Sequence, residues 1–177
     1  MAHELRQGSP TRQILVLASG LFFGGSGLKR VYPNEEVCIG CGLCEIHCAV
    51  QHSSSRDILK AFKLERAGLL PRIKVQRQGP VTLALQCRHC AEPLCAFSCL
   101  TGALHLQNGV VVHDAEKCIG CWTCLAVCPY GGLQADFAAG KVKGKCDLCP
   151  GLDVPACVAN CPNQALVYEE RDRPCGT

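Results

Sequence analysis

Large aromatic side chains are scarce in this 177-residue chain, which has one Trp, three Tyr and five Phe. A core built mainly on packed rings is excluded, so the fold needs another source of stability. Long apolar runs are missing too. Ile14–Phe23, interrupted by Ala18-Ser19-Gly20, is too short to cross a bilayer. No clear small-x-small cleavage site comes after it and no adjacent Arg pair precedes it, which argues against export. A nucleotide loop is also lacking. Gly24-Gly25-Ser26-Gly27 reads as a flexible joint, not as a G-x-G-x-x-G turn after a strand.

Cysteine is what the chain has in excess: seventeen, nearly one residue in ten. The stretch Cys118-Ile119-Gly120-Cys121-Trp122-Thr123-Cys124-Leu125-Ala126-Val127-Cys128-Pro129 reads C-x2-C-x2-C-x3-C-P, the run that holds [4Fe–4S] clusters in bacterial ferredoxins. Cys38, Cys41, Cys44 and Cys48 repeat that spacing and the same Cys-Ile-Gly-Cys start. Two looser quartets alternate with these: Cys87, Cys90, Cys95, Cys99 and Cys146, Cys149, Cys157, Cys161. Sixteen thiols in four quartets predict four [4Fe–4S] clusters, with Cys175 left over as a bystander. A zinc-binding structural protein is the rival of a different class, but one tetrahedral ion has no use for the crowded third Cys. Disulfides suit small secreted domains and irregular spacing, whereas here the count is odd and the spacing regular. Thiolate ligands must stay reduced, which points to the cytoplasm, at most peripheral to the inner membrane face, and to anaerobic life.

The formal charge of +3 counts thiols as neutral. Sixteen thiolates subtract sixteen and four cores of charge 2+ restore eight, leaving about −5. The apparent basicity is thus no argument for a nucleic-acid partner.

Residues 1–28 differ in composition from the rest of the chain and read as a leader or appended segment, with Leu28 the expected start of the body. Residues 29–170 are expected to form the four-cluster domain and 171–177 a polar tail. Lys29–Pro33 reads as a strand. Ser53-Ser54-Ser55 offers cap oxygens to a helix that Gly68 ends, with Ile58, Leu59, Phe62 and Leu64 on a side expected first to pack on the cluster core and, as the alternative, to dock a partner. Hairpins are expected over 71–86, with Ile73 and Val75 facing inward together with Val81, Leu83 and Leu85, and around Asn108-Gly109 and Ala139-Gly140. Ala165–Glu169 reads as a last strand. The fold class is α+β, short hairpins and short helices around cofactors.

In ferredoxins each cluster loop lends its last Cys to its partner's cluster. Joined by one short hairpin, the second and third quartets are expected to form an inner dicluster unit, 87–128. Its ligand sets are Cys87, Cys90, Cys95 with Cys128, and Cys118, Cys121, Cys124 with Cys99. The outer unit, 38–48 plus 146–161, then uses Cys38, Cys41, Cys44 with Cys161, and Cys146, Cys149, Cys157 with Cys48. His47, His89, His105 and His113 have no nucleophile or acidic partner and read as surface groups or neighbours of these ligands. Trp122 reads as a spacer. No catalytic residue is assigned, and the chemistry is expected on another polypeptide.

Several segments carry a family resemblance: Cys44-Glu45-Ile46-His47-Cys48-Ala49-Val50-Gln51-His52-Ser53, Lys60-Ala61-Phe62-Lys63, Gln86-Cys87-Arg88-His89-Cys90 and Cys121-Trp122-Thr123-Cys124. Through them residues 29–170 resemble the four-cluster electron-transfer subunits of the dimethyl sulfoxide reductase type, most of all the iron–sulfur subunit of carbon monoxide dehydrogenase. The resemblance implies two pseudo-symmetric dicluster halves of bacterial ferredoxin type. It implies electron transfer from a catalytic subunit, carbon monoxide dehydrogenase in the first place, to a second partner such as a flavin-dependent NAD(P) reductase or a hydrogenase. Tungsten or molybdenum aldehyde oxidoreductases, formate dehydrogenases and hydrogenases are served by similar subunits and are the alternative catalytic partners.

Overall fold

Alternating apolar residues and turn dipeptides divide the chain into short strands, and a computed structural model describes residues 27–171. Three antiparallel hairpins form between neighbours in sequence: β2 (Ile73–Gln78) with β3 (Val81–Gln86), β4 (Leu104–Gln107) with β5 (Val110–His113), and β6 (Leu133–Asp136) with β7 (Lys141–Lys145). Asn108 and Gly109 both take positive φ, 50° and 78°, the twist that a two-residue hairpin turn requires. The fourth sheet is not local. β1 (Arg30–Pro33) pairs antiparallel with β8 (Leu166–Glu169), so the strand before the first quartet closes on the strand after the last.

Four helices begin at the quartets: α1 (Leu43–Gln51), α3 (Leu94–Phe97), α4 (Thr123–Val127) and α5 (Ala156–Ala159). In each, the third Cys of the quartet is the second helical residue and is buried: Cys44, Cys95, Cys124 and Cys157. Two apolar clusters result. One gathers Val31, Ile73, Val75, Ala84 and Leu166 around Cys44, Cys48 and Cys157. The other gathers Leu104, Val111, Leu133 and Val142 around Cys95 and Cys124.

Two expectations about faces are corrected. In the β2–β3 hairpin the inward partners of Ile73 and Val75 are Gln86 and Ala84, which lie directly opposite them and so share their face. Leu83 and Leu85 point the other way, and Val81 is exposed. Gly79-Pro80, a two-residue turn, sets this parity. The inward face continues to Arg77 and Thr82, whose side chains donate to the carbonyls of Gly40 and Cys38 and hold the first cysteine loop.

The helix after the first quartet, α2 (Ile58–Leu64), is capped by Asp57, whose carboxylate accepts from Lys60 N at 2.9 Å, and not by a serine. Ser54 and Ser55 instead donate their backbone N–H groups to Glu65, at 2.7 and 3.0 Å. α2 stops at Leu64, and a 3-10 turn, Arg66–Gly68, comes next. Its apolar side does not pack inward. Ile58, Leu59, Phe62 and Leu64 are 47%, 66%, 41% and 80% exposed, and only Ala61 is buried. A seven-residue helix touches the body along one line, and the smallest side chain takes that line. The leader through residue 26, the tail from 172 and Cys175 lie outside the described residues. Leu28 packs against the first apolar cluster.

Candidate iron–sulfur centres

A cysteine loop can present several thiols to one centre only if its backbone curls around that centre. In all four C-x2-C turns the residue before the second Cys has positive φ: Gly40 (65°), His89 (47°), Gly120 (70°) and Leu148 (63°). This conformation turns successive N–H groups toward a common point, a concavity suited to an anion. At Gly120 no other residue fits, because a Cβ would lie 2.0 Å from Gly140 O. Trp122 also has positive φ, 61°, where the first loop has Gly42, and its ring packs against Phe137 with the centroids 5.4 Å apart and the planes tilted by 47°.

The last Cys of every quartet accepts a backbone N–H. Leu104 donates to Cys99 Sγ at 3.4 Å, Gly132 to Cys128 at 3.4 Å and Ala165 to Cys161 at 3.2 Å. These donors lie four or five residues downstream. For Cys48 the donor is Arg72, at 3.2 Å and 24 residues away. The α2 segment is thus an excursion from which the chain returns to make the same bond. N–H donors of this kind favour the anionic thiolate.

Thiols of different quartets come together. One hollow is lined by Cys118, Cys121, Cys124 and Cys99, with Leu104 and Val142 behind them. Trp122 lines it too, so that residue covers a centre and is more than a spacer. A second hollow is lined by Cys38, Cys41, Cys44 and Cys161, with Val75, Ala84 and Leu166. Elsewhere Cys87 and Cys128 act electrostatically on Cys95, and Cys90 stands in the loop of Cys87. Cys146, Cys48 and Cys149 act likewise on Cys157.

Burial pushes the Cys44 and Cys146 thiols up to about 12 and those of Cys95 and Cys124 to about 11, and Cys157 is raised further. Nearby thiols reinforce the rise at Cys44, Cys95, Cys124 and Cys157. Such groups are protonated when unligated and must lose protons to bind metal. Cys121 is the opposite case, lowered by the Thr123 hydroxyl, which donates to its Sγ at 3.5 Å. Four sets of thiols, N–H donors on sulfur and apolar walls fit iron–sulfur clusters.

Among the histidines, His105 is exposed and His47 half-buried, but His89 is wholly buried. His89 Nδ1 accepts from Val111 N at 3.2 Å, and burial lowers its pKa to about 3, so it is a neutral core residue. The sequence reading missed a charged bridge. His52 Nε2 lies 3.0 Å from Asp147 Oδ1, and Arg72 Nη1 lies 2.5 Å from Asp147 Oδ2. Asp147 is held well below the usual carboxylate range, since the hydrogen bond from His52 and the charge of Arg72 outweigh its burial. His52 is raised to about 9, the bond to Asp147 overcoming the opposing effect of burial. Asp147 lies inside a C-x2-C turn and His52 four residues after Cys48, but nothing in the sequence pairs them.

Residues 81–171 match the 4Fe-4S dicluster domain family. The chain belongs to this ferredoxin-type family of electron-transfer proteins. It is 36% identical over 160 residues to the electron transport protein HydN of Escherichia coli strain K12, covering 82% of this chain and 90% of HydN. It is 40% identical over 146 residues to AegA of the same strain, covering 78% of this chain but 21% of AegA. It is also 38% identical over 150 residues to the beta subunit of NADH-dependent phenylglyoxylate dehydrogenase of Aromatoleum evansii, covering 81% of this chain and 31% of that one. No helix among the described residues is long and apolar enough to cross a membrane.

Proposed function

We propose that the chain holds four [4Fe–4S] clusters and passes electrons through them between a catalytic oxidoreductase and a second redox partner, without turning over a substrate itself. The outer half uses Cys38, Cys41, Cys44 with Cys161, and Cys146, Cys149, Cys157 with Cys48. The inner half, residues 87–128, uses Cys87, Cys90, Cys95 with Cys128, and Cys118, Cys121, Cys124 with Cys99. When bound, each cluster takes up and releases one electron. The protein's part is to space the thiol sets, donate N–H groups to sulfur and keep water away.

The observation that carries this reading is the succession of neighbouring thiols. Cys44 acts on Cys157, Cys87 on Cys146 and Cys124 on Cys95, so each ligand set adjoins the next. The order runs from the Cys38 set through the Cys146 and Cys87 sets to the Cys118 set. Exposed Cys41 and Cys121 stand at its two ends, where electrons can enter and leave.

Carbon monoxide dehydrogenase is the donor to test first, with a flavin-dependent NAD(P) reductase or a hydrogenase as acceptor. A tungsten or molybdenum enzyme is the alternative donor. Likeness to a subunit of an NADH-dependent dehydrogenase supports a place in a multisubunit oxidoreductase, and the need to keep the thiolates reduced supports the cytoplasm, at most peripheral to the membrane. Two measurements test the reading. Anaerobically purified protein should contain about sixteen iron and sixteen sulfide per chain, and a content near eight, or zinc in their place, would overturn the four-cluster assignment. Carbon monoxide with its dehydrogenase should bleach the cluster absorbance, whereas carbon monoxide alone should not. Turnover of any substrate by the isolated chain would overturn the role.

A further inference from the structure

Lys145 is a buried lysine, 4% exposed. Its Nζ donates to the carbonyl of Cys146 at 2.6 Å, and among the described residues it forms no ion pair with a carboxylate. The nearby carboxylate of Asp147 is taken up by His52 and Arg72. A cation held out of water without a counter-charge is costly, so an anion is called for at this place. The groups that feel its charge identify the anion. Lys145 immediately precedes Cys146 of one middle set, and its strand partner Leu133 follows Gly132, whose N–H donates to Cys128 Sγ of the other. Its charge accordingly acts on Cys146 and on Cys95, which belong to different ligand sets and to different halves of the chain. It therefore stands at the joint between the second and third positions of the conducting series. Each set of four thiolates around a 2+ core carries two net negative charges, which is the counter-charge that Lys145 lacks.

The end positions lack a buried lysine among the described residues, and Arg77, which donates to Gly40 O in the Cys38 loop, is exposed. The residue after the first Cys is Ile39 in one terminal loop and Ile119 in the other, both exposed and uncharged. At the joint the corresponding residues are Arg88 and Asp147, the latter bridged to Arg72.

We propose that Lys145 is a positioning residue shared by the two middle clusters, whose ammonium raises both their reduction potentials relative to the terminal pair. The inference rests on the four-cluster reading. A fixed positive charge stabilises the extra electron of the reduced state, so its removal makes reduction harder. An electron entering at either end then comes to rest in the middle, where Lys145 holds it until the second partner is docked.

The experiment is a mediated potentiometric titration of the full-length holo-protein, monitored by electron paramagnetic resonance, with iron content measured on each sample. In Lys145→Gln two of the four potentials should fall, each by about tenfold in the equilibrium constant for reduction, or about 59 mV for one electron. Lys145→Arg, which keeps the charge, should leave all four near the wild-type values. Four unchanged potentials in a fully loaded Lys145→Gln protein would overturn the inference, as would a shift confined to one cluster. If Lys145→Gln fails to load, Lys145→Arg decides: the inference stands if that variant loads with potentials kept and falls if they drop. Wild-type protein with fewer than four clusters would instead overturn the reading on which the inference rests.

Discussion

Gly120 shows how closely a single residue can be bound to the chemistry. Its positive φ is one that side chains disfavour, and the space where a Cβ would go is filled by the Gly140 carbonyl. Gly120→Ala is expected to distort the loop of Cys118 and Cys121, costing on the order of 1–3 kcal/mol. Thermal unfolding should register the loss, and iron content should fall by one cluster; an unchanged melting curve would show that the loop tolerates a different path. Cys124 tests the ligand assignment at the same centre. Cys124→Ser should remove or cripple one cluster, whereas Cys175→Ser, in the tail, should leave spectra and electron transfer as they are. Loss of a cluster from Cys175→Ser would mean that the quartets are drawn wrongly.

Of the elements, α2 contributes no residue to either thiol-lined hollow. Three quartets close their N–H to sulfur bond within four or five residues, and the first does so only after the α2 excursion, through Arg72. Cluster loading should therefore not need the excursion itself. Replacing residues 55–69 with a short Gly/Ser linker is expected to leave iron content near sixteen, and a content lower by one cluster would show that α2 supports Cys48. Within α2, Asp57→Ala removes the side chain that caps Lys60 N. It should cost about 1 kcal/mol of helix stability, read as faster amide exchange over residues 60–64 with cluster spectra unchanged. The exposed Leu59, Phe62 and Leu64 show why packing on the core and docking of a partner both had to stay open for this helix: apolar spacing marks a side but does not say whether anything covers it.

At the scale of the whole molecule the two apolar clusters are small and enclose cysteine among their members. Chelation of iron under reducing conditions should accordingly unfold the chain, because the metal–thiolate bonds supply much of what the sparse core lacks. Circular dichroism after anaerobic chelation would register this, and a native-like apo spectrum would count against it. Residues 1–27 make a contrasting case. Leu28 already packs on the first apolar cluster, so a chain beginning there is expected to load all four clusters.

What the sequence determined by itself is what short range can encode. The spacing of Cys118, Cys121 and Cys124 names the cofactor because one loop must reach one cluster, and Asn108-Gly109 names a hairpin because its two residues adopt the required twist. The three hairpins were legible for that reason. Other features depend on which distant residues come together, and no local pattern carries that. Pairing of β1 with β8 joins the strand before the first quartet to the strand after the last. The inward face of β3 comes from register parity, which put Ala84 and Gln86 inside where alternation alone suggested leucines. His52 meets Asp147 across 95 residues of chain. Lys145 reads in the sequence as one more surface charge, and only the packing of the two halves buries it between thiols of both. Tertiary structure decided these, because burial and electrostatic contact are properties of assembled neighbours and not of the segment that contains the residue.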